Sequence, residues 1–359
     1  MNQPPDEAGN VAPAHAASQQ MVGDHAAPRP LPLFLALVRN VAERDPDLAR
    51  RALHGLHSYM EAPRPKPRIS RPKFAEVKGA SLRDHGGHGR PLILVPSLIN
   101  PPHILDLDEE TSLAGSLSKT HRIMLLDWGK AADRAAENVA QHIERILLPL
   151  IAALDVPPLL VGYCLGGTMA MAAAQLTPVA GVATLAAPWR FSAYDGKARD
   201  ALAAIWRDSR GTSGQLGAMP MEVLQAAFWA LDPDRTVAKF AAFGALNPTS
   251  DEACRFVVME DWANQGEPLP LPAAEELFDR LFADDAPGQG NWTVSGKMMS
   301  DNLPCPALHC LARGDHIVPA ATAPQGRKVQ INSGHVGMIV GRARHDLHRQ
   351  LTDFFQTLA

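Results

Sequence analysis

Short apolar runs separated by polar turns recur through the middle of the chain, and each has the length of a buried or edge strand. Five such runs cover residues 74–82, 92–95, 121–127, 158–161 and 181–186. Two segments between or after them, residues 131–154 and 168–175, carry the composition or apolar spacing of helices. Strands that alternate with helices predict a mostly parallel sheet covered by helices on both faces, which is an α/β fold.

The alternation stops after residue 189. Residues 190–295 contain aromatic residues, prolines and helical patterns at 220–229 and 273–282, but no clear strand. An insertion of this kind is expected over the carboxyl edge of a parallel sheet, where the active sites of such folds lie. We therefore predict that residues 190–295 form a cap.

The strand pattern returns near the end of the chain. Strand-like runs cover residues 307–311 and 328–331, and an amphipathic helix is predicted over residues 344–358. Together with the earlier strands they predict one core, formed by residues 71–189 and 296–359.

The segment before the core has a different character. Residues 1–30 are rich in alanine, proline and glutamine, which predicts a disordered tail. Residues 31–70 combine a helical pattern, interrupted at Pro46, with a basic and proline-rich linker.

Composition excludes several classes of function. A net charge of −4 gives no case for nucleic-acid binding, and no apolar run is long enough for a transmembrane segment. Four cysteines in 359 residues do not suggest a disulfide framework, so a cytoplasmic protein is expected. Cys305 and Cys310, near His309 and His316, match no standard zinc spacing, and we expect no metal.

The candidate chemistry centres on Gly162, Cys164 and Gly166. This is the Gly-x-nucleophile-x-Gly spacing of the strand-to-helix turn in α/β-hydrolases, with cysteine in place of serine. A helix that begins at Leu165 would direct its positive end at the sulfur. The alternative is a tight packing turn with an incidental cysteine.

A thiol nucleophile requires a base and an orienting carboxylate. Asp315 and His335 each follow a late strand, in the chain order that α/β-hydrolases use. The rival base is His316, and the rival acid is Asp127. A surface histidine and a turn carboxylate remain the structural alternatives for the two preferred residues.

The oxyanion hole requires two backbone N–H groups. Leu165 is expected to supply one, and Ser97 or Leu98, in the loop after residues 92–95, the other. A thiolate exchanges acyl groups with thioesters at little cost in free energy. The cysteine therefore favours acyl transfer from a thioester, although cysteine hydrolases exist.

At these motifs the chain resembles the polyhydroxyalkanoate synthases, and most of all the catalytic subunit of the short, two-component class III type. The resemblance runs from about residue 75 to the end. The segments that carry it are 95–100, 104–107, 127–129, 162–167, 256–262, 315–319 and 333–337.

The resemblance implies an α/β-hydrolase core with a mobile cap. It assigns Cys164 as the acyl-accepting thiol, His335 as general base and Asp315 as the acid tied to that base or to the incoming hydroxyl. The implied substrate is a 3-hydroxyacyl-CoA thioester, so no separate cofactor is expected. The implied product is a polyester that grows into a cytoplasmic granule. A second, non-catalytic synthase subunit and a homodimer are the implied partners.

Two other functions remain open at this point. A thioesterase or polyester hydrolase would use the same three residues with water as the acceptor. A granule-binding or assembly protein would use the fold as a scaffold without catalysis.

Overall fold

The computed structural model describes residues 27–64 and 70–358. Most of the expected N-terminal tail, residues 1–26, and the centre of the proline-rich linker, residues 65–69, lie outside the described residues. Within the described part, no helix combines the length and the apolar character needed to cross a membrane.

One sheet of eight strands organises the fold. Its order is β1-β2-β4-β3-β5-β6-β11-β12, antiparallel where β2 meets β1 and β4 and parallel elsewhere. The α/β fold predicted from the sequence is confirmed. The strands are β1 (Lys73–Val77), β2 (Ala80–Asp84), β3 (Pro91–Val95), β4 (Arg122–Asp127), β5 (Leu159–Tyr163), β6 (Gly181–Leu185), β7 (Ala218–Met219), β8 (Leu269–Pro270), β9 (Thr293–Val294), β10 (Lys297–Met298), β11 (Ala307–Ala312) and β12 (Lys328–Ile331).

Thirteen α-helices are found in the described residues, and short 3₁₀ or π segments extend or link some of them. A π segment, Ile143–Leu147, joins α4 to α5, and another, Glu276–Ala283, continues α11. The helices are α1 (Leu31–Ala42), α2 (Pro46–Glu61), α3 (Leu113–Leu117), α4 (Val139–His142), α5 (Leu148–Ala152), α6 (Leu165–Ala174), α7 (Gly196–Leu216), α8 (Met221–Leu231), α9 (Pro233–Phe243), α10 (Asp251–Asn264), α11 (Leu271–Glu275), α12 (Gly337–Val340) and α13 (Arg344–Gln356).

The prediction of one edge strand over residues 74–82 was wrong. The segment is a hairpin of β1 and β2, because Lys78 (φ 49°) and Gly79 (φ 75°) adopt the left-handed backbone that reverses the chain. The residues alternate on both sides of this turn, so periodicity alone did not reveal the reversal.

The predicted helix over residues 131–154 was wrong in its start. Ala131–Arg134 is a 3₁₀ segment, and the continuous helix begins at Val139. Asn138 accepts from the backbone N–H of Gln141, whose side chain accepts in turn from the N–H of Asn138. This capping box fixes the true start. The two-residue strands β7, β8 and β9 also lie in the segment where no strand was expected.

Both faces of the sheet are buried. Along β3, Ile93 and Val95 pack into one apolar cluster with α6, while Leu92 and Leu94 pack into the cluster on the opposite face with α3 and α13. Burial on two faces explains the uninterrupted apolar runs of the central strands.

A third apolar cluster lies away from the sheet. It joins α1 and α2 to helices of the 190–295 segment, and the rings of Phe34 and Phe240 meet edge-on with centroids 4.7 Å apart. The two N-terminal helices therefore pack on the segment that follows β6.

Candidate active site

Cys164 lies at the sharp turn between β5 and α6. Its backbone has φ 56° and ψ −131°, a strained conformation for a residue with a side chain. The amide of Cys164 donates to the carbonyl of Leu185 (2.9 Å), and its carbonyl accepts from Gly167 (2.8 Å). Backbone hydrogen bonds on both sides hold the partly buried thiol at this turn.

The glycines of the motif are required by close backbone approach. A Cβ at Gly162 would lie 2.4 Å from Cα of Gly167. A Cβ at Gly166 would lie 2.2 Å from the carbonyl oxygen of Val95, at the end of β3. The turn can therefore press the start of α6 against the loop after β3 only with glycine at these positions.

Helix α6 begins at Leu165, as expected from the sequence, and all of its residues are buried. Its first backbone N–H groups have no partners within the helix and concentrate positive partial charge at this end. Cys164 is the N-cap residue of α6, so negative charge that develops beside it lies at the positive end of the helix.

Asp315 and His335 form a hydrogen-bonded pair beside the turn. Nδ1 of His335 lies 2.7 Å from Oδ2 of Asp315. Oδ1 of Asp315 accepts from the backbone N–H groups of Ile317 and Val318, each at 2.8 Å. The carboxylate, whose side chain is 0% exposed, thus has three fixed donors and holds the imidazole in one orientation.

The environment of His335 favours its protonated form. Burial by itself lowers the pKa of His335, but the charge of Cys164 and the hydrogen bond and charge of Asp315 outweigh burial and raise that pKa to about 10. Because Nδ1 is bonded to Asp315, Nε2 is the nitrogen available to exchange a proton with the sulfur. The arrangement holds a protonated imidazole beside the sulfur of Cys164.

The rival residues lie outside this arrangement. His316 is exposed to solvent although it follows Asp315 in sequence. Asp127 pairs with Arg83 (3.4 Å) and accepts from the backbone N–H of Gly129 (3.1 Å). The structure therefore brings Cys164, Asp315 and His335 together and leaves both alternatives engaged elsewhere or in solvent.

The loop after β3 forms one wall of the site. Ser97 and Leu165 line the same cavity as Cys164, whereas the side chain of Leu98 packs into the apolar core. The indole N–H of Trp128 donates to the carbonyl of Pro96 (3.1 Å) and fixes the start of this loop. Ser97 in this loop and Leu165 at the start of α6, the two residues expected to supply oxyanion donors, therefore both lie at the cavity that contains the nucleophile.

A cavity of about 280 Å³ contains the nucleophile and is lined mainly by apolar side chains. The core supplies Cys164 and His335, and the 190–295 segment supplies aromatic residues such as Phe191, Tyr194 and Phe278. Such a lining excludes water from a reacting acyl group and suits an apolar substrate.

Tyr163 was missed in the sequence analysis. Its buried hydroxyl donates to the backbone carbonyl of His335 (3.3 Å), and its ring lies against the imidazole with centroids 5.0 Å apart. Its position before the nucleophile places it beneath the base, but only the approach of the loop after β12 makes this contact. An aromatic residue in the motif was the sole sequence signal.

The remaining cysteines do not form a site. Cys310 is buried in β11, and burial raises its pKa to about 12. The ring of His309 is bonded to Thr184 at 2.9 Å. Within the described part of the chain, no group of three or more histidine, cysteine or acidic residues could hold a metal ion.

Comparison with known proteins finds curated relatives of the chain as a whole. The chain is 24% identical over 304 residues to the poly(3-hydroxyalkanoate) polymerase subunit PhaC of Haloarcula marismortui. The aligned region covers 78% of this chain and 64% of that protein. It is 25% identical over 281 residues to the subunit of the same name from Allochromatium vinosum, covering 72% of this chain and 78% of the relative. No family model matches the chain.

The solved structures support the fold. The epoxide hydrolase of Bacillus megaterium superposes with a TM-score of 0.53 at 12% identity, over 79% of this chain and 99% of that structure. At this identity the likeness concerns architecture alone. The resemblance predicted from the motifs is confirmed: the chain has the α/β-hydrolase fold and is similar, over 72–78% of its length, to poly(3-hydroxyalkanoate) polymerase subunits.

Proposed function

We propose that this protein is an acyltransferase of the polyhydroxyalkanoate synthase type. It transfers 3-hydroxyacyl groups from CoA thioesters to Cys164 and joins them into a polyester, with release of CoA. The observation that carries the proposal is a thiol on a strained turn, beside the buried His335–Asp315 pair, in a mainly apolar cavity. The names of the relatives support the same chemistry.

Acylation begins with the thiolate of Cys164 attacking the thioester carbonyl. The tetrahedral oxyanion accepts hydrogen bonds from the backbone N–H of Leu165 and from an N–H of the Ser97–Leu98 segment. When the intermediate collapses, the bond to the CoA sulfur breaks. His335 gives its proton to that sulfur, so CoA leaves as a thiol and the acyl group remains on Cys164.

In the transfer step His335 accepts a proton, whereas in acylation it donates one. His335, now neutral, removes the proton from the 3-hydroxyl of a second acyl unit, and the resulting alkoxide character on oxygen drives attack on the acyl-cysteine. An ester forms and the thioester bond to Cys164 breaks. The sulfur leaves as a thiolate beside the now protonated His335, which restores the starting state for the next unit. Asp315 keeps the imidazole oriented in both steps.

Water competes with the 3-hydroxyl for the acyl-cysteine. If water prevails, the same residues yield a thioesterase or polyester hydrolase. The apolar aromatic lining contributed by Phe191, Tyr194 and Phe278 favours the hydroxyl of an apolar acyl chain over bulk water. A growing polyester, a homodimer, a second subunit and a place on cytoplasmic granules belong to this proposal as well.

The deciding experiment is product analysis with 3-hydroxybutyryl-CoA. The wild type, Cys164→Ala and the matched control Cys254→Ala, which alters an exposed cysteine on α10, are compared for CoA release and for insoluble polyester. We expect both products from the wild type and the control, and neither from Cys164→Ala. Free 3-hydroxybutyrate in place of polyester would support the hydrolase, and activity in Cys164→Ala would refute the proposed nucleophile.

A further inference from the structure

The N-terminal helix pair, α1 and α2, is seated tightly on the cap helices. Where α2 crosses α9, a Cβ at Gly55 would lie only 1.8 Å from the carbonyl oxygen of Phe240. Phe34 and Tyr59 both place their rings edge-on against Phe240. The helix pair therefore has one defined position on the cap.

Polar contacts fix the same helix pair to the end of α10. The hydroxyl of Tyr59 donates to Oδ1 of Asp261 (2.5 Å), and Arg64 donates to both carboxylate oxygens through Nε and Nη2 (3.1 Å each). Arg64 also donates to the carbonyls of Tyr59 and Ala62, both at 2.6 Å. The Asp261 side chain is 21% exposed, so this network is partly shielded from water.

The next residue on α10 points to the active site. The indole N–H of Trp262 donates to the carbonyl of Pro101 (2.9 Å), at the far end of the loop that begins at Pro96. Consecutive residues on a helix face directions about 100° apart, so Asp261 can face the N-terminal helices while Trp262 faces the loop. A Cβ at Gly266, just beyond α10, would lie 2.9 Å from the carbonyl oxygen of Ile99 in the same loop.

Two indoles thus hold the loop that contains Ser97. Trp128, from the core, holds its start at Pro96, and Trp262, from α10, holds its end at Pro101. Only the second depends on the position of a cap helix. A hydrogen bond joins Tyr59 to Asp261, the next residue on α10 is Trp262, and a second hydrogen bond joins Trp262 to Pro101. We call this series of contacts the Tyr59–Pro101 path.

We propose that the N-terminal helix pair sets the position of the oxyanion-hole loop through the Tyr59–Pro101 path. Tyr59, Asp261 and Trp262 are then positioning residues. The inference rests on one part of the proposed function, namely that the loop supplies an oxyanion donor. A donor misplaced by about 1 Å can cost up to about 100-fold in rate. Loosening one end of the loop is expected to cost about tenfold.

The test separates oxyanion stabilisation from the reactivity of the thiol. Acetylation of Cys164 by p-nitrophenyl acetate forms a tetrahedral oxyanion, and the burst of p-nitrophenolate reports its rate. Alkylation by iodoacetamide forms the S–C bond by displacement at a saturated carbon, without an oxyanion. Trp262→Phe retains an aromatic ring at the cavity but removes the N–H donor to Pro101.

We expect Trp262→Phe to slow the burst about tenfold, while the rate and pH profile of alkylation stay as in the wild type. Tyr59→Phe is expected to slow the burst of p-nitrophenolate by a smaller factor than Trp262→Phe. The double variant should be no slower than Trp262→Phe alone, because Tyr59 acts only through Trp262. Arg44→Gln removes an exposed ion pair between the same helices and α9, at Asp234, and should leave the burst unchanged.

Three results would overturn the inference: an unchanged burst in Trp262→Phe, a parallel loss of alkylation, or multiplicative effects in the double variant. The absence of a burst in the wild type would also overturn it. The test is independent of CoA chemistry. A protein that is inactive with 3-hydroxybutyryl-CoA but shows the expected burst pattern would sustain the inference and would count against the proposed function alone.

Discussion

At the scale of single residues, the site depends on a charge arrangement that the core makes possible. His335 is buried, which taken alone disfavours the imidazolium, yet Cys164 and Asp315 raise its pKa from 6.5 to about 10. Three donors hold the Asp315 carboxylate, so the pair is preorganised before substrate binds. The cost of burying these groups is offset only while they remain together.

This arrangement predicts a pH dependence of stability. The folded state keeps a proton on His335 between pH 6.5, its ordinary pKa, and pH 10, whereas the unfolded state loses it. The stabilisation is therefore complete below pH 6.5 and is lost as the pH rises toward 10. Asp315→Asn should be less stable than the wild type by about 3 kcal/mol at pH 6, and the difference should shrink toward pH 10.

Urea unfolding of both proteins at pH 6, 8 and 10 measures this difference. His316→Gln is the matched control, since that side chain is exposed and follows Asp315 in sequence. A difference between wild type and Asp315→Asn that does not change with pH would show that the Asp315–His335 pair does not hold the extra proton.

At the scale of elements, the site is made by the approach of α6 to the loop after β3. The carbonyls of Val95 and Pro96 lie so close to Gly166 that any side chain there would collide with backbone. This approach brings the start of α6 and the loop after β3 together at the cavity that contains Cys164.

Gly166→Ala should therefore force α6 and the loop apart. We expect a loss of stability of about 1–3 kcal/mol and at least a tenfold loss of acylation rate. Gly214→Ala on the exposed face of α7 is the control, because its new Cβ would meet no atom within 4 Å. It should be neutral or slightly stabilising. Thermal unfolding and the p-nitrophenolate burst measure both effects, and equal behaviour of the two variants would contradict the explanation.

At the scale of the whole molecule, the residues that the structure describes form three apolar clusters. Two cover the faces of the sheet, and the third joins the N-terminal helix pair to α9 and α10. Helix α10 also carries Trp262, whose indole N–H donates to Pro101. The third cluster is therefore linked through α10 to the loop beside the nucleophile.

Gly55→Ala tests this connection at its tightest point. The new methyl group would collide with the backbone of Phe240, so α2 must move away from α9. We expect faster hydrogen exchange in α1 and α2, a loss of about 1–3 kcal/mol and a slower burst. The control is Gly211→Ala, whose Cβ would meet no atom within 4 Å. Faster hydrogen exchange in α1 and α2 with an unchanged burst would show that the position of this helix pair does not affect the acylation rate.

Much of the fold could be predicted because the burial of its central strands leaves a pattern within a few consecutive residues. Two-sided burial makes the central strands continuous apolar runs, so β3, β4, β5 and β6 were located within a residue or two. Turns and caps were less visible. The reversal at Lys78–Gly79 and the capping box at Asn138 depend on individual backbone angles and hydrogen bonds that periodicity does not report.

The sequence by itself determined the α/β fold and the candidate residues Cys164, Asp315 and His335, because a strained turn needs glycines and because loops after parallel strands meet at one edge. Only the tertiary structure decided which residues meet. It set His335 on Asp315, left His316 in solvent, placed Tyr163 beneath the imidazole and joined Tyr59 to Asp261 across 202 residues. Contacts at such separations arise from packing between elements, which no local pattern encodes.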